Sequence, residues 1–258
     1  MLPPTTTAVL FDLDDTLLEY GIARDRGVVA WVASVDPGRV ARYGEAELAR
    51  RWLELERHHF ARYSAGELTF AEQRRERIRA FWPERFDDDA ATDAAFDDYL
   101  TCTAASWAPV PGVVETVTAL AERLPVGVLT NGHPSIQQAK LDRLGLGWAR
   151  LFASADLPAP KPHRLAFWTA CEALGVTPSQ TVIMVGDDPT NDIAGARDAG
   201  LGAIWFRRDG DVLAGAFLSA GGSRPAAGTV DSPVPTITDL RQLLSPVPND
   251  GKNGLHCE

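Results

Sequence analysis

The sequence predicts an α/β protein: a doubly wound parallel sheet of Rossmann-like type with an all-helical domain inserted in it. Three observations carry this. Short apolar runs without polar alternation recur at Ala8–Phe11, Val126–Leu129, Val182–Val185 and Ala203–Phe206, and such runs mark strands covered on both faces, as in a parallel sheet. Helical periods lie between these runs, so strand and helix alternate. Residues 21–107 differ from the rest: their best periods are helical and they contain no convincing strand.

The first strand is expected over Ala8–Phe11. After it, Leu48, Trp52, Leu55 and His59 keep to one helical face, while Arg24, Arg26, Arg50, Arg51 and Glu54 supply polar faces. Residues 1–20 and 108–245 are therefore expected to form the core, and 21–107 an inserted helical domain. Val113, Val117, Leu120 and Leu124 share a face of a helix that stops before Pro125. Beyond the second strand, Ile136, Ala139, Leu141 and Leu144 suggest another helix, ended by Gly145; Gln137, Gln138, Lys140 and Arg143 are read as part of this core helix and not of a pocket. Asp209 to Pro235 is rich in Gly, Ala, Ser and Pro and is expected to be a long surface loop. A short strand and helix return over 235–244, and the polar tail 246–258 is expected to be disordered.

A net charge of −10 argues against a nucleic acid polymer as partner. It leaves room for a small phosphorylated substrate, because a bound metal reverses the local field. No apolar run approaches the roughly 20 residues that span a bilayer, and the first residues lack the pattern of a signal peptide. A cytoplasmic monomer or homodimer is expected. Cys102, Cys171 and Cys257 are widely spaced and form no ligand pattern, so they are expected to be reduced thiols.

The chemistry sits where strands end. The first run leads into Asp12 and Asp14, the second into Thr130 and Asn131, and Val182–Val185 into Gly186, Asp187 and Asp188. Ligands of an open parallel sheet bind outside the carboxyl ends of its strands, so these residues share one rim. Four motifs appear in order: Asp12-Leu13-Asp14-Asp15-Thr16, Thr130-Asn131-Gly132, Lys161-Pro162, and Gly186-Asp187-Asp188-Pro189-Thr190-Asn191-Asp192. On these the chain resembles the haloacid dehalogenase-like (HAD) hydrolase superfamily, over residues 8–20 and 108–245. The helical insert directly after the first motif resembles the helical-cap branch.

The resemblance implies a Mg²⁺-dependent phosphohydrolase. A phosphate monoester repels an anionic nucleophile, and a divalent ion between the two offsets that repulsion; Mg²⁺ prefers oxygen ligands. By similarity, Asp12, Asp187 and the backbone carbonyl of Asp14 hold the ion. Asp12 attacks phosphorus to give an aspartyl-phosphate. Asp14 protonates the leaving alkoxide and then deprotonates water. Thr130, the amide of Asn131 and Lys161 hold the phosphoryl group. Thr16 orients the first motif, and Asp192 and Asp188 stand behind these groups, pairing with Lys161 or a metal-bound water. Haloacid dehalogenases attack carbon and do not keep the second Asp, so Asp14 favours phosphorus; a phosphosugar mutase is the alternative, ahead of a dehalogenase or an inactive binding homologue. Thr130-Asn131-Gly132 followed by Gln137-Gln138, Lys140-Leu141 and Arg143-Leu144-Gly145-Leu146 looks like the house-cleaning nucleotidases and N-acylneuraminate-9-phosphatases, pointing to a nucleotide or sugar phosphate as substrate.

Other conspicuous residues receive ordinary readings. His58 and His59 are helix neighbours pointing about 100° apart, so surface roles are expected. His133 follows the Thr-Asn-Gly turn and is a candidate to approach substrate. The Trp residues are expected to pack, with Trp31 and Trp52 the candidates to face a substrate ring.

Overall fold

The computed structural model describes residues 1–207 and 234–245. The expected loop, except for its last two residues, the expected tail and Cys257 lie outside them. One parallel sheet is built from β1 (Ala8–Phe11), β2 (Val126–Thr130), β3 (Arg150–Ala153), β4 (Val182–Gly186), β5 (Gly202–Phe206) and β6 (Thr236–Ile237), in the order β3-β2-β1-β4-β5-β6. In β1, Val9 stands opposite Val126 and Ile183, and Phe11 opposite Val128 and Val185. Every residue of β1, β2 and β4 is buried, which explains their unbroken apolar sequence. From β1 the chain winds outward to β3 on one side and from β4 to β6 on the other. The switch point therefore lies between the carboxyl ends of β1 and β4, where this fold places ligands.

The chain divides into two compact units, residues 18–108 and the remainder. The first is helical throughout: α1 (Tyr20–Val35), α2 (Pro37–Tyr43), α3 (Glu45–Ser64), α4 (Phe70–Phe81) and α5 (Asp89–Ala104). Local chemistry sets its boundaries. Asp36 caps α2 and Asp88 caps α5, each accepting a backbone N–H, and Thr69 with Glu72 forms a reciprocal capping box on α4. Trp31, Trp52, Ile78, Phe81, Phe96 and Tyr99 fill its core, with the Trp52 and Tyr99 rings 4.3 Å apart. Trp31 and Trp52 are fully buried here, so both are packing residues and neither faces a substrate within this unit. His59 also departs from expectation: it is buried, its Nδ1 3.4 Å from Glu76, while His58 stays exposed. The i+4 relation to Leu55 and the i+7 relation to Trp52 turn His59 inward.

Gly27 allows α1 and α5 to approach closely. A Cβ there would land on Thr103 Oγ1 and lie 2.7 Å from the Thr103 Cα, a backbone atom that cannot swing away. Gly27→Ala is expected to destabilise the protein by about 1–3 kcal/mol through overpacking, although alanine is the better helix former. Denaturant unfolding measures this; a variant more stable than the parent would contradict the close packing.

Around the sheet lie α6 (Val113–Ala121), α7 (Pro134–Arg143), α8 (Arg164–Ala173), and a π-helical turn Pro189–Ala194 continuing into α9 (Gly195–Asp198). α7 starts on Pro134 and is followed by Gly145 at φ +74°, the usual stop signal. Its inward face corrects the expected one. Gln137, Lys140, Leu141 and Leu144 are buried, Ile136 is half-buried and Ala139 is exposed. β3 and α8 were not anticipated. β3 is an edge strand whose Arg150 is exposed and Leu151 half-buried, so it lacks the apolar run of the central strands. β6 and a 3₁₀ turn over Leu240–Leu243 form the short strand and helix expected near the end.

Candidate active site

Three carboxylates meet at the switch point. Asp12 follows β1, Asp187 follows β4, and Asp192 rises from the π-helical turn; one oxygen from each lies within 4.8 Å of the others. Lys161 is buried between two of them, with Nζ 2.6 Å from Asp12 and 2.6 Å from Asp192. The other Asp192 oxygen accepts the Asp188 N–H at 3.1 Å. Gly186 makes room for this: a Cβ there would stand 2.6 Å from the Asp192 Cβ and overlap its carboxylate. Thr16 is fully buried and donates to Asp187 at 3.3 Å. Asp188 turns away and caps the π-helical turn, accepting from Thr190 N, Asn191 N and Asn191 Nδ2. It does not reach Lys161, so its expected share in that pairing is not seen.

The second motif is tied to the third. The Asn131 side chain donates to the Lys161 carbonyl at 2.8 Å and accepts its N–H at 2.9 Å. This pair of hydrogen bonds between the amide and the backbone fixes where Lys161 starts. Ser154 Oγ accepts the Gly132 N–H at 3.0 Å and steadies the turn from the other side. His133 bonds Ser135 at 2.9 Å. Behind β4, Trp205 Nε1 donates to the Asp187 carbonyl at 2.9 Å.

Asp14 is not one of these three carboxylates and takes its partners from α7. Lys140 Nζ lies 2.6 and 2.7 Å from its two oxygens, and Gln137 Nε2 donates to it at 3.1 Å and to Thr130 Oγ1 at 2.7 Å. Gln137 and Lys140 thus belong to the site, contrary to the reading of α7 as core alone. The signal was present in the sequence: with Leu141 and Leu144 they complete an i, i+3, i+4, i+7 face. Asp15, next in the chain, holds φ at +64°, a left-handed conformation that Asp tolerates better than most residues.

The electrostatics follow from burial. Desolvation pushes Asp12 up to about 7, against the pull of Lys161, and pushes Asp187 up to about 9, assisted by the charges of Asp12 and Asp192. Asp192 is raised mainly by burial, with Lys161 opposing. Burial would lower Lys161, but Asp12 and Asp192 outweigh it and hold the ammonium charged. One ammonium is thus set against three carboxylates: Asp12 and Asp192, which are buried and pair with it, and the half-buried Asp187 beside them. Asp192 has both oxygens committed, which leaves Asp12 and Asp187 as the oxygen donors for a hard divalent cation. This donor set fits Mg²⁺.

A doubly wound sheet with lysine-paired carboxylates at its switch point defines an α/β protein whose ligand crevice opens onto those carboxylates. The comparisons with known proteins narrow this class. A model of the haloacid dehalogenase-like hydrolases matches residues 6–200. The ribulose-1,5-bisphosphate 5-phosphatase of Halopiger xanaduensis is 30% identical over 93% of this chain and 99% of its own. The pyrimidine 5'-nucleotidase YjjG of Escherichia coli is 31% identical over 56% of this chain and 64% of its own. Among solved structures, a 2-haloacid dehalogenase from Pseudomonas syringae superposes with a TM-score of 0.62 at 26% identity, covering 93% of this chain and 96% of that one. The chain belongs to the haloacid dehalogenase-like hydrolase family, and within it is a phosphoric monoester hydrolase. Among the described residues no helix is long and apolar enough to cross a membrane.

Proposed function

We propose that the protein is a Mg²⁺-dependent phosphatase that cleaves small phosphate monoesters through an aspartyl-phosphate on Asp12. The observation that carries this is the buried Asp12–Lys161 pair at 2.6 Å, with Asp187 beside it and a second carboxylate, Asp14, two residues along the chain. Bound by Asp12 and Asp187, Mg²⁺ would neutralise phosphoryl oxygens and permit an anion to approach phosphorus. Lys161 adds a fixed positive charge beside the nucleophile and orients it. Asp12 attacks phosphorus, and the ester oxygen departs with a proton from Asp14. Water then attacks the aspartyl-phosphate, returning a proton to Asp14 and restoring Asp12 as phosphate leaves.

Thr130 has a defined part. Gln137 directs its Nε2 at an Asp14 oxygen, and the same Nε2 donates to Thr130 Oγ1. The Thr130 hydroxyl proton is then left for a phosphoryl oxygen, beside the Asn131 amide. The helical unit 18–108, which enters the chain after the first motif, is assigned the selection of leaving group, as a cap. Nucleotides and sugar phosphates are the substrate classes favoured by the phosphatase relatives. Asp14 disfavours a dehalogenase, which has no leaving oxygen to protonate.

A panel of nucleotides, sugar phosphates and small phosphorylated acids, with para-nitrophenyl phosphate as a generic ester, tests the reading. Inorganic phosphate release that requires Mg²⁺ is expected. No turnover on any ester, or turnover unaffected by EDTA, would overturn it. Conversion of a sugar phosphate to its isomer without phosphate release would assign a mutase instead.

A further inference from the structure

We infer that Lys140 and Gln137 form a clamp that sets the Asp14 carboxylate for its two proton transfers. They are positioning residues, and the inference rests on the phosphatase reading above. Both side chains are buried, at 4% and 2% exposure, although one carries a full charge and the other an amide. Lysine is almost never buried this far without a partner, and a core helix packs as well with apolar residues at such positions. Leu141 and Leu144 already supply the apolar part of the inward face of α7. Lys140 and Gln137 lie three residues apart on that face, so they project side by side and converge on one group. Lys140 reaches both Asp14 oxygens, and Gln137 reaches one of them while holding Thr130.

Three bonds to one carboxylate restrict both of its side-chain torsions. Asp14 needs this support because it stands in the turn after β1, beside Asp15 in its left-handed conformation, and not on a regular element. The two lysines of the site divide the work: Lys161 is shared by Asp12 and Asp192, and Lys140 is directed at Asp14. Gln137 joins the two halves, because a displacement of Asp14 is transmitted through it to the hydroxyl that faces the phosphoryl group. The clamp therefore couples the site of proton transfer to the phosphate cradle across a single helical turn.

A displaced proton donor has consequences that a packing defect lacks. An alkoxide leaves poorly without a proton, whereas para-nitrophenolate leaves well as the anion. The specificity constant kcat/KM reports the first chemical step, in which the leaving group departs. The test compares kcat/KM for glycerol phosphate and for para-nitrophenyl phosphate in Lys140→Met and Gln137→Leu. Both esters are assayed in one preparation of each variant, so the folded fraction cancels from their ratio.

In Lys140→Met the alkyl-to-aryl ratio is expected to fall about 100-fold, the lower end of what a placed general acid contributes. Gln137→Leu should lower it in the same direction and to a smaller extent. With the aryl ester, kcat and KM should fall together in Lys140→Met, because water attack on the aspartyl-phosphate becomes limiting. Lys140→Arg, which keeps the charge, should recover part of the ratio. A ratio within twofold of the parent in both neutral variants would overturn the clamp and leave the phosphatase reading standing. A parent protein that hydrolyses neither these two esters nor any ester of the panel above would remove that reading, and the clamp with it.

Discussion

Asp12→Asn is expected to abolish turnover, lowering kcat by about 10⁴-fold or more, as removal of a covalent nucleophile does. An amide has the same shape as the carboxylate and cannot form the acyl phosphate. The fold should survive the change. Lys161 keeps its 2.6 Å partner Asp192, and the substitution removes a carboxylate that burial already pushes up to about 7. Thermal unfolding should therefore show a folded protein at or near the parent's midpoint while phosphate release disappears. Retention of more than about 1% of the parent kcat in purified Asp12→Asn would contradict the assignment, since a remaining pathway of that size means the carboxylate is not the attacking group.

Asp187→Asn should have two opposite effects, depending on the metal. In EDTA the parent holds a carboxylate whose folded-state value is raised from 3.8 to about 9 by burial and by the charges of Asp12 and Asp192. Between those values the folded chain keeps a proton that the unfolded chain has released. Stability of the metal-free protein therefore falls as pH rises through that window, the reverse of a salt-bridged aspartate. Asparagine removes this contribution. The metal-free variant is expected to melt higher than the parent near neutral pH, by roughly 2–8 °C if about 1–2 kcal/mol is relieved, and with a shallower pH dependence. Added Mg²⁺ should raise the parent's midpoint and leave that of the variant unmoved. A variant that melts lower than the parent in EDTA, or that Mg²⁺ stabilises equally, would show that Asp187 is not an uncompensated ligand.

Much of this fold was legible in the residues. β1, β2, β4 and β5 lie within a residue or so of their apolar runs; the first three are covered on both faces and have no polar side to interrupt them, while β5 is half-buried along one face. β3 was not legible. As an edge strand it buries only Phe152 and Ala153, too little to stand out from a loop. The helix following the second motif was anticipated with the wrong inward face. Apolar content alone selects Ile136 and Ala139, but the structure turns Gln137 and Lys140 inward because Asp14 and Thr130 are there to receive them.

The four motifs at strand ends, with their order, are a property of the chain itself, and their resemblance to the family's motifs pointed to the class of enzyme and to Asp12 as the candidate nucleophile. It did so because chemistry at a sheet rim demands particular residue types at the few positions where buried strands stop. Tertiary structure alone decided the partners. Asp188 became a helix cap and Asp192 the mate of Lys161, although they share one motif. Lys140 became a clamp on a carboxylate 126 residues away. A buried polar side chain takes its role from the group it meets across the fold, and that group lies outside any local pattern in the sequence.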